Sequence, residues 1–437
     1  MKRIAKAIAL LVALPLGSGV ATSDDLVAVY ELAGKNDPAL KAARATRDAT
    51  IEAEPIARAQ LRPNVALNGD ATYTNTDVKS STAGGYNDDF TSGNANLQLT
   101  HPLYRRDRDI QLEQAQDQVE QASVDYSTAE QDLILRVSQA YFGVLSAQDT
   151  LAFAEAEKKA IARQLDQAKQ RFEVGLIAIT GVHEAQARYD QSRADEILAR
   201  TNLENAIEAL REITLEPSIP LAGLKRKIPM SRPQPDSLDE WTEIALANNP
   251  GVQSAKFDAD IAKKQISLAD AGDSPSVDLV GSYGLARSGA NFGTDANTGQ
   301  IGLQLAVPLY TGGGVAASTR QARFRYEAAQ EVLEQRRRAV QTQVRNAYRG
   351  VVSSISRVSA LQAARVSAKS ALEATEAGFE VGTRTLVDVL DGQRDLFRAR
   401  RDFAQSRYDY ILNTLSLYQA AGTLDEEDVV VVNGWLK

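Results

Sequence analysis

Two apolar rhythms alternate along this chain, and each occurs twice. From Val315 to Glu380 there is no proline, and Ala, Gln, Glu and Arg abound, all good helix formers. Apolar positions recur there at mixed three- and four-residue spacings: Val332, Leu333, Val340, Val344, Ala347, Tyr348, Val351 and Val352. The spacing predicts one continuous helix, roughly 100 Å long at about 1.5 Å per residue. Its apolar face is narrow and many of its core-side candidates are alanine, which permits close helix contact as in a coiled coil. Such a helix needs neighbours along its length.

The second rhythm has a period of two. "NVALNGDATYTNTDV" sets Val65, Leu67, Gly69, Ala71 and Tyr73 against polar residues, and "NANLQLTHPLY" does the same with Ala95, Leu97 and Leu99. "SVDLVGSYGLARS" and "GQIGLQLAVPLY" behave alike, with Ile301, Leu303, Leu305 and Val307 on one side. These are strands with one apolar and one wet face, turning through Gly-, Ser-, Asn- and Asp-rich tips at Thr76–Ser92 and Ser288–Gly299. Two surface hairpins packed on helices are the competing reading.

The chain is a duplication. "NDPALKAARATRD" opens a stretch resembling "NNPGVQSAKFDAD", and "PLY" at Pro102 and "FEVG" at Phe172 recur at Pro308 and Phe379. All three matches keep their order at a spacing of about 210 residues. Each copy runs amphipathic helix (near Leu26–Leu61 or Leu238–Ala271), hairpin, very long helix, a "VG" break and a further helix. The expected boundaries are a leader over 1–21 and a first repeat over 22–216, with a hairpin at 65–101 and long helices at 104–213. A proline-rich connector over 217–237 follows, holding Pro217, Pro220, Pro229, Pro233 and Pro235. The second repeat spans 238–424, with a hairpin at 277–308 and long helices at 314–421. A tail over 425–437 ends the chain, expected to add a little extended structure.

The first residues identify the compartment. Lys2, Arg3 and Lys6 precede the apolar run Ile8–Leu16, and Gly19-Val20-Ala21 ends it with small residues. This is a cleavable secretory signal, too short for a membrane anchor. The chain has no cysteine, which excludes disulfides, thiolate metal sites and an N-terminal lipid anchor. Loss of the leader takes the formal charge from −8 to about −11, and this acidity argues against nucleic acid as a partner. No later apolar run is long enough for a transmembrane helix, but strands can still span a membrane with weak signals. Four strands cannot close a barrel and lipid forbids an open edge, so membrane insertion demands several chains; three would give an even twelve.

Catalysis finds little support. His101 and His183 are the only histidines and make a poor metal site without cysteine. The run Thr311–Gly314 lacks the lysine and hydroxyl of a phosphate loop and reads as a bend between strand and helix. No cofactor is expected. A periplasmic or surface coiled-coil scaffold without a pore remains the rival function class, although it leaves the duplicated hairpins unexplained.

After the second "VG", Thr385 can cap a new helix, with Asp388 three residues on in a capping-box arrangement. Asp388 and Asp391 then share one helix face, and negative charge is favoured near a helix N-terminus. Capping and solubility suffice to explain both acids locally.

The duplicated plan, both "PLY" exits, "VGTRTLVDVLD" and the closing "RYDYILNTLSLYQAAGTL" resemble the TolC-type outer-membrane efflux and secretion channel family, over nearly the whole chain. The resemblance implies a mixed α and transmembrane β fold: a homotrimer sharing one twelve-stranded barrel in the outer membrane, with a long α-helical tunnel across the periplasm. It implies a passive exit duct, not an enzyme, working with a periplasmic adaptor protein and an inner-membrane efflux pump or ABC exporter. It places Asp388 and Asp391 at a cation-selective pore constriction at the periplasmic end. It makes Arg384 a gate-lock residue, with Thr180 as an acceptor. Phe379 and Gly181 depart from the family pattern, which has a tyrosine and an aspartate there, so fewer polar ties are expected to hold this mouth. In the first copy Gly181 and Glu184 align with Asp388 and Asp391, and only Glu184 is acidic. The turns Val174, Gly175, Leu176 and Val381, Gly382, Thr383 are the expected adaptor-docking tips.

Overall fold

The computed structural model describes residues 25–79, 85–216, 220–290, 293 and 295–437. The expected leader, Pro217 of the connector and parts of both hairpin tips lie outside the described residues. The amphipathic helix expected over Leu26–Leu61 is three pieces, α1 (Leu26–Asn36), α2 (Pro38–Ile51) and α3 (Ala53–Ala59). Its counterpart is two, α6 (Leu238–Asn248) and α7 (Pro250–Asp270). The cause is the Asn-x-Pro motif itself. Proline cannot donate the helix hydrogen bond but suits a first helical turn. Asp37 and Asn249 therefore end one helix and cap the next, accepting from the Leu40 and Gly251 N–H groups at 2.7 and 3.0 Å. Asp37 is almost wholly buried and receives both arms of Arg136, at 2.8 and 3.0 Å; these bonds above all hold its carboxyl below the usual range.

The strands β1 (Asn64–Val78), β2 (Tyr86–Arg105), β3 (Ser276–Ser288) and β4 (Ala296–Ala306) form one antiparallel sheet in chain order. Register settles the two faces. Leu67 pairs with Leu97, Leu97 with Tyr283, and Leu279 with Leu303, so the apolar positions of all four strands share one side. That side is open: Leu67, Ile301, Leu303 and Leu305 are each at least 65% exposed. Asn, Gln, Thr and Asp occupy the other face, where Asn94 donates to Asp70 at 3.1 Å. At the sheet base Arg105 grips Asp278 with two bonds, 3.1 and 2.8 Å, joining the repeats where β2 becomes helix.

Among the described residues of one chain β1 pairs only with β2, and β4 only with β3. This explains why the two "PLY" motifs differ. The first lies inside β2, paired with β3 through a bulge. The second follows β4, an edge strand exposed along its whole length, and Leu309 and Tyr310 stand about 90% exposed. Gly312 and Gly313 take φ of 64° and 80° there, so the glycine run makes the expected bend into the next helix.

Four helices complete the plan: α4 (Arg106–Glu173), α5 (Ile179–Thr214), α8 (Gly314–Glu380) and α9 (Leu386–Ala421). Val340, Val344, Val351 and Val358 form the buried stripe of α8, whereas Val332 is exposed. Among the described residues no helix is long and apolar enough to cross a membrane. The main core lies midway, where Tyr141, Phe142, Ile411, Leu415 and Leu417 pack with the short helices. The tail corrects an expectation. It is mainly helix α10 (Glu426–Asn433), because Asp425 and Asp428 form a capping box and Val429 and Val432 are buried. Only the Leu224–Leu436 bridge is extended.

Gly422 ends α9 with φ 74°, and a Cβ there would stand 2.5 Å from the Asn248 carbonyl oxygen. Gly422→Ala is expected to lower stability by about 2 kcal/mol or more, since backbone strain and a backbone clash combine. Gly34→Ala, on α1 with open space around the new methyl, is expected to be neutral or mildly stabilising. Denaturant unfolding of both variants in detergent checks the contrast.

Candidate functional site at the helix turns

The far ends of the long helices turn in the same way in both repeats. In the first, Leu176 N–H donates to Arg171 O at 2.8 Å and Gly175 N–H to Phe172 O at 2.9 Å. In the second, Thr383 N–H donates to Gly378 O at 2.8 Å and Gly382 N–H to Phe379 O at 3.2 Å. Both are Schellman motifs, which need a left-handed residue after the helix. Gly175 and Gly382 supply it, with φ of 76° and 78°. The flanking side chains are left bare: Val174, Leu176 and Val381 are 70 to 75% exposed.

The helices that follow begin differently. Thr385 and Asp388 form a full capping box. The Thr385 N–H and hydroxyl donate to Asp388 Oδ2 at 2.8 and 2.9 Å, and Asp388 N–H donates back to Thr385 Oγ1 at 3.2 Å. The Thr385 backbone bond foremost, then its hydroxyl, then the charge of Arg384 hold Asp388 below its ordinary value of 3.8. The matching positions in the first copy are Ala178 and Gly181. Neither can cap, and α5 has no side-chain cap. The first repeat thus has no counterpart of the capping box.

Asp391 is held from outside its own helix. Arg188 on α5 donates to its Oδ1 at 2.6 Å, and Arg394 stands 3.6 Å away. The Arg188 tie was not anticipated from sequence, although Arg188 lies one turn beyond Glu184 on the same helix. Below it a small core bridges the hairpins: Ile161, Leu165 and Ala168 from α4, Ala185 from α5, and Leu386 and Leu390 from α9. Phe379 has no hydroxyl, but its ring packs on this core and carries the Arg171 guanidinium 4.4 Å from its centre. That cation–π contact joins α4 to α8. At Gly181 a Cβ would meet Ile177 and Leu386 at ordinary contact distance.

Arg384 and Thr180 are both exposed. Among the described residues no hydrogen bond joins them within one chain. The Arg384 side chain lies against Gly378, where a Cβ would approach its Cγ to 2.8 Å. The site therefore brings Asp388, Thr385, Arg188 and Asp391 together and leaves Arg384 and Thr180 facing outward.

A sheet with its apolar face outward, prolonged by paired helices of about 67 residues, is the protomer of a tunnel-forming outer-membrane channel. Comparison with known proteins agrees. The chain belongs to the outer membrane efflux protein family, whose pattern matches residues 29–214 and 241–423. It is 43% identical to the outer membrane protein TolC of Vibrio cholerae, covering 99% of each chain. It is 30% identical to the alkaline protease secretion protein AprF of Pseudomonas aeruginosa, covering 92% of this chain and 85% of that one. Its fold matches the Campylobacter jejuni CmeC outer membrane channel with a TM-score of 0.78 at 19% identity, over 99% and 98% of the two chains. The protein is an outer-membrane efflux channel protein, not an enzyme. The scaffold alternative falls with that membership.

Replacing Thr385 by alanine is expected to speed amide exchange over the first turn of α9 roughly fivefold at pH 7. The sign with pH follows from the lowered Asp388 pKa. The cap contributes fully above the unfolded value of 3.8 and is lost as pH falls through the lower folded one. The difference between variant and wild type should therefore shrink only below that value.

Proposed function

We propose that three copies form one duct, gated at its periplasmic end, with Asp388 and Asp391 as the cation-selective constriction. The observation that carries this reading is the pairing of the Thr385–Asp388 capping box, which the first repeat lacks, with an acid on the same face of α9, immediately after an exposed turn. Three chains would bring six carboxylates near one axis. A ring of like charge selects cations and gives divalent ions a blocking site. The open β1 and β4 edges support the assembly, since an unpaired edge has no place in hydrocarbon.

The resting mouth is held by ties on different residues from those the family pattern suggests. Arg188 bonds Asp391, and Arg171 stacks on Phe379. Both act within one chain. Arg384, exposed beside the turn, is free to reach Thr180 of a neighbouring copy. An Asp391 carboxylate engaged by Arg188 is partly neutralised, so release of Arg188 both loosens α5 from α9 and strengthens the ring's charge.

The turns Val174, Gly175, Leu176 and Val381, Gly382, Thr383 are the docking tips for a periplasmic adaptor. Their exposed apolar side chains beside left-handed glycine turns favour that role. An inner-membrane pump or ABC exporter completes the path. The naming of relatives for protease secretion and outer membrane efflux supports both kinds of cargo.

Single-channel current across a planar bilayer tests the mouth. Asp388→Ala with Asp391→Ala is expected to weaken divalent block from the periplasmic side at least tenfold; unchanged block would remove the ring. Arg188→Ala is expected to raise resting conductance while leaving divalent block intact or stronger. Arg384→Ala tests the tie between copies separately, and an unchanged resting conductance would exclude Arg384 from the lock.

A further inference from the structure

A cavity of about 970 Å³ opens between the middle of α4, the lower part of α8, α9 and the connector. Along α9 it is centred on Phe403, roughly 20 Å from Asp391 at about 1.5 Å per residue, so it is separate from the turns. Its wall is strongly basic. Arg226, Arg365, Lys369, Arg400, Arg407 and Lys437 line it, against Asp149 and Glu373.

The two acids are already engaged. Glu373 faces Lys369 at 3.4 Å, and Asp149 accepts the Tyr408 hydroxyl at 2.8 Å. Among the described residues none of Arg226, Arg365, Arg400 and Arg407 has a carboxylate oxygen within 4.0 Å. Arg365 and Arg407 approach the same ring, their guanidinium carbons 4.4 and 5.9 Å from the centre of Phe403. Arg407 donates to the Lys225 carbonyl oxygen. Burial pulls its pKa below the ordinary guanidinium value, against the opposing pull of Tyr408 and Asp149 and with a smaller push from the Arg365 charge.

Two guanidiniums on one ring repel each other, and partial burial removes the water that would screen them. An anion between them offsets both penalties. The planar fork of arginine matches carboxylate and phosphate oxygens with paired hydrogen bonds. The volume suits a small organic ligand, and Phe153, Phe403 and Tyr408 add ring surface. We propose that this cavity binds a small multivalent anion bearing carboxylate or phosphate groups, held chiefly by Arg365 and Arg407 across Phe403.

Isothermal titration of the purified full-length protein in detergent tests this, with citrate and pyrophosphate as probes at matched ionic strength. Saturable binding of either probe, weakened at least tenfold by Arg365→Gln with Arg407→Gln, is expected from the loss of two charge-assisted forks. A tighter citrate complex would assign the site to carboxylates and a tighter pyrophosphate complex to phosphates. Size exclusion and circular dichroism check that each variant is folded. Should the double variant fail to fold, Arg365→Gln alone, at a half-buried position, carries the test. No binding of either probe to the wild type, or equal affinity in the variants, overturns the proposal.

Discussion

An unpaired strand edge is not tolerated in lipid, and most of this architecture follows from that constraint. Among the described residues the sheet has four strands and two free edges, and nothing of the same chain covers its apolar side. Neither defect can be repaired within one copy. Lipid covers the face, and other copies complete the edges. The sheet then fixes where the helices start. β2 runs directly into α4, and β4 reaches α8 through a glycine bend, so both repeats send a long helix away from the same rim.

Duplication gave the two halves the same turn but not the same chemistry. Both keep the glycine that lets the helix end in a Schellman motif. Only the second keeps the capping hydroxyl and its acid. With Ala178 and Gly181 at the matching positions, α5 is left without a side-chain cap, while Arg188 of that same helix reaches across to Asp391. A polar tie thus joins α5 to α9 away from the turn itself. Such a tie is possible because a bond between two helices depends only on where side chains end, whereas a turn depends on the backbone itself.

The middle of the molecule is held by packing and by buried polar caps. Asp37 serves two helices and a distant arginine at once, and Gly422 lets α9 end directly against the Asn248–Asn249 backbone. Trp241 stacks on Tyr418 and Tyr410 on Trp435, which fastens α6 and the tail to α9. Without cysteine, these contacts carry the role that disulfides often play in exported chains.

The amino-acid sequence alone determined the repeat, the long helices, the alternating strands and the capping box at Thr385, because each of these depends on residues close together in the chain. Periodicity also marked the correct faces of the strands, which the register then matched residue for residue. The breaks at Asp37 and Asn249 are signalled by the prolines that follow them, but the apolar periodicity continues through both and masks them. The helical tail was hidden because four valines suggest a strand, while burial of Val429 and Val432 decided otherwise. Tertiary structure alone decided the rest. Arg188 and Asp391 are about 200 residues apart, and nothing in local pattern pairs an arginine with one acid among many. The stacking of Arg171 on Phe379 and the basic cavity around Phe403 have the same origin. Long-range side-chain meetings are set by how helices pack, and a single sequence carries that only through the fold.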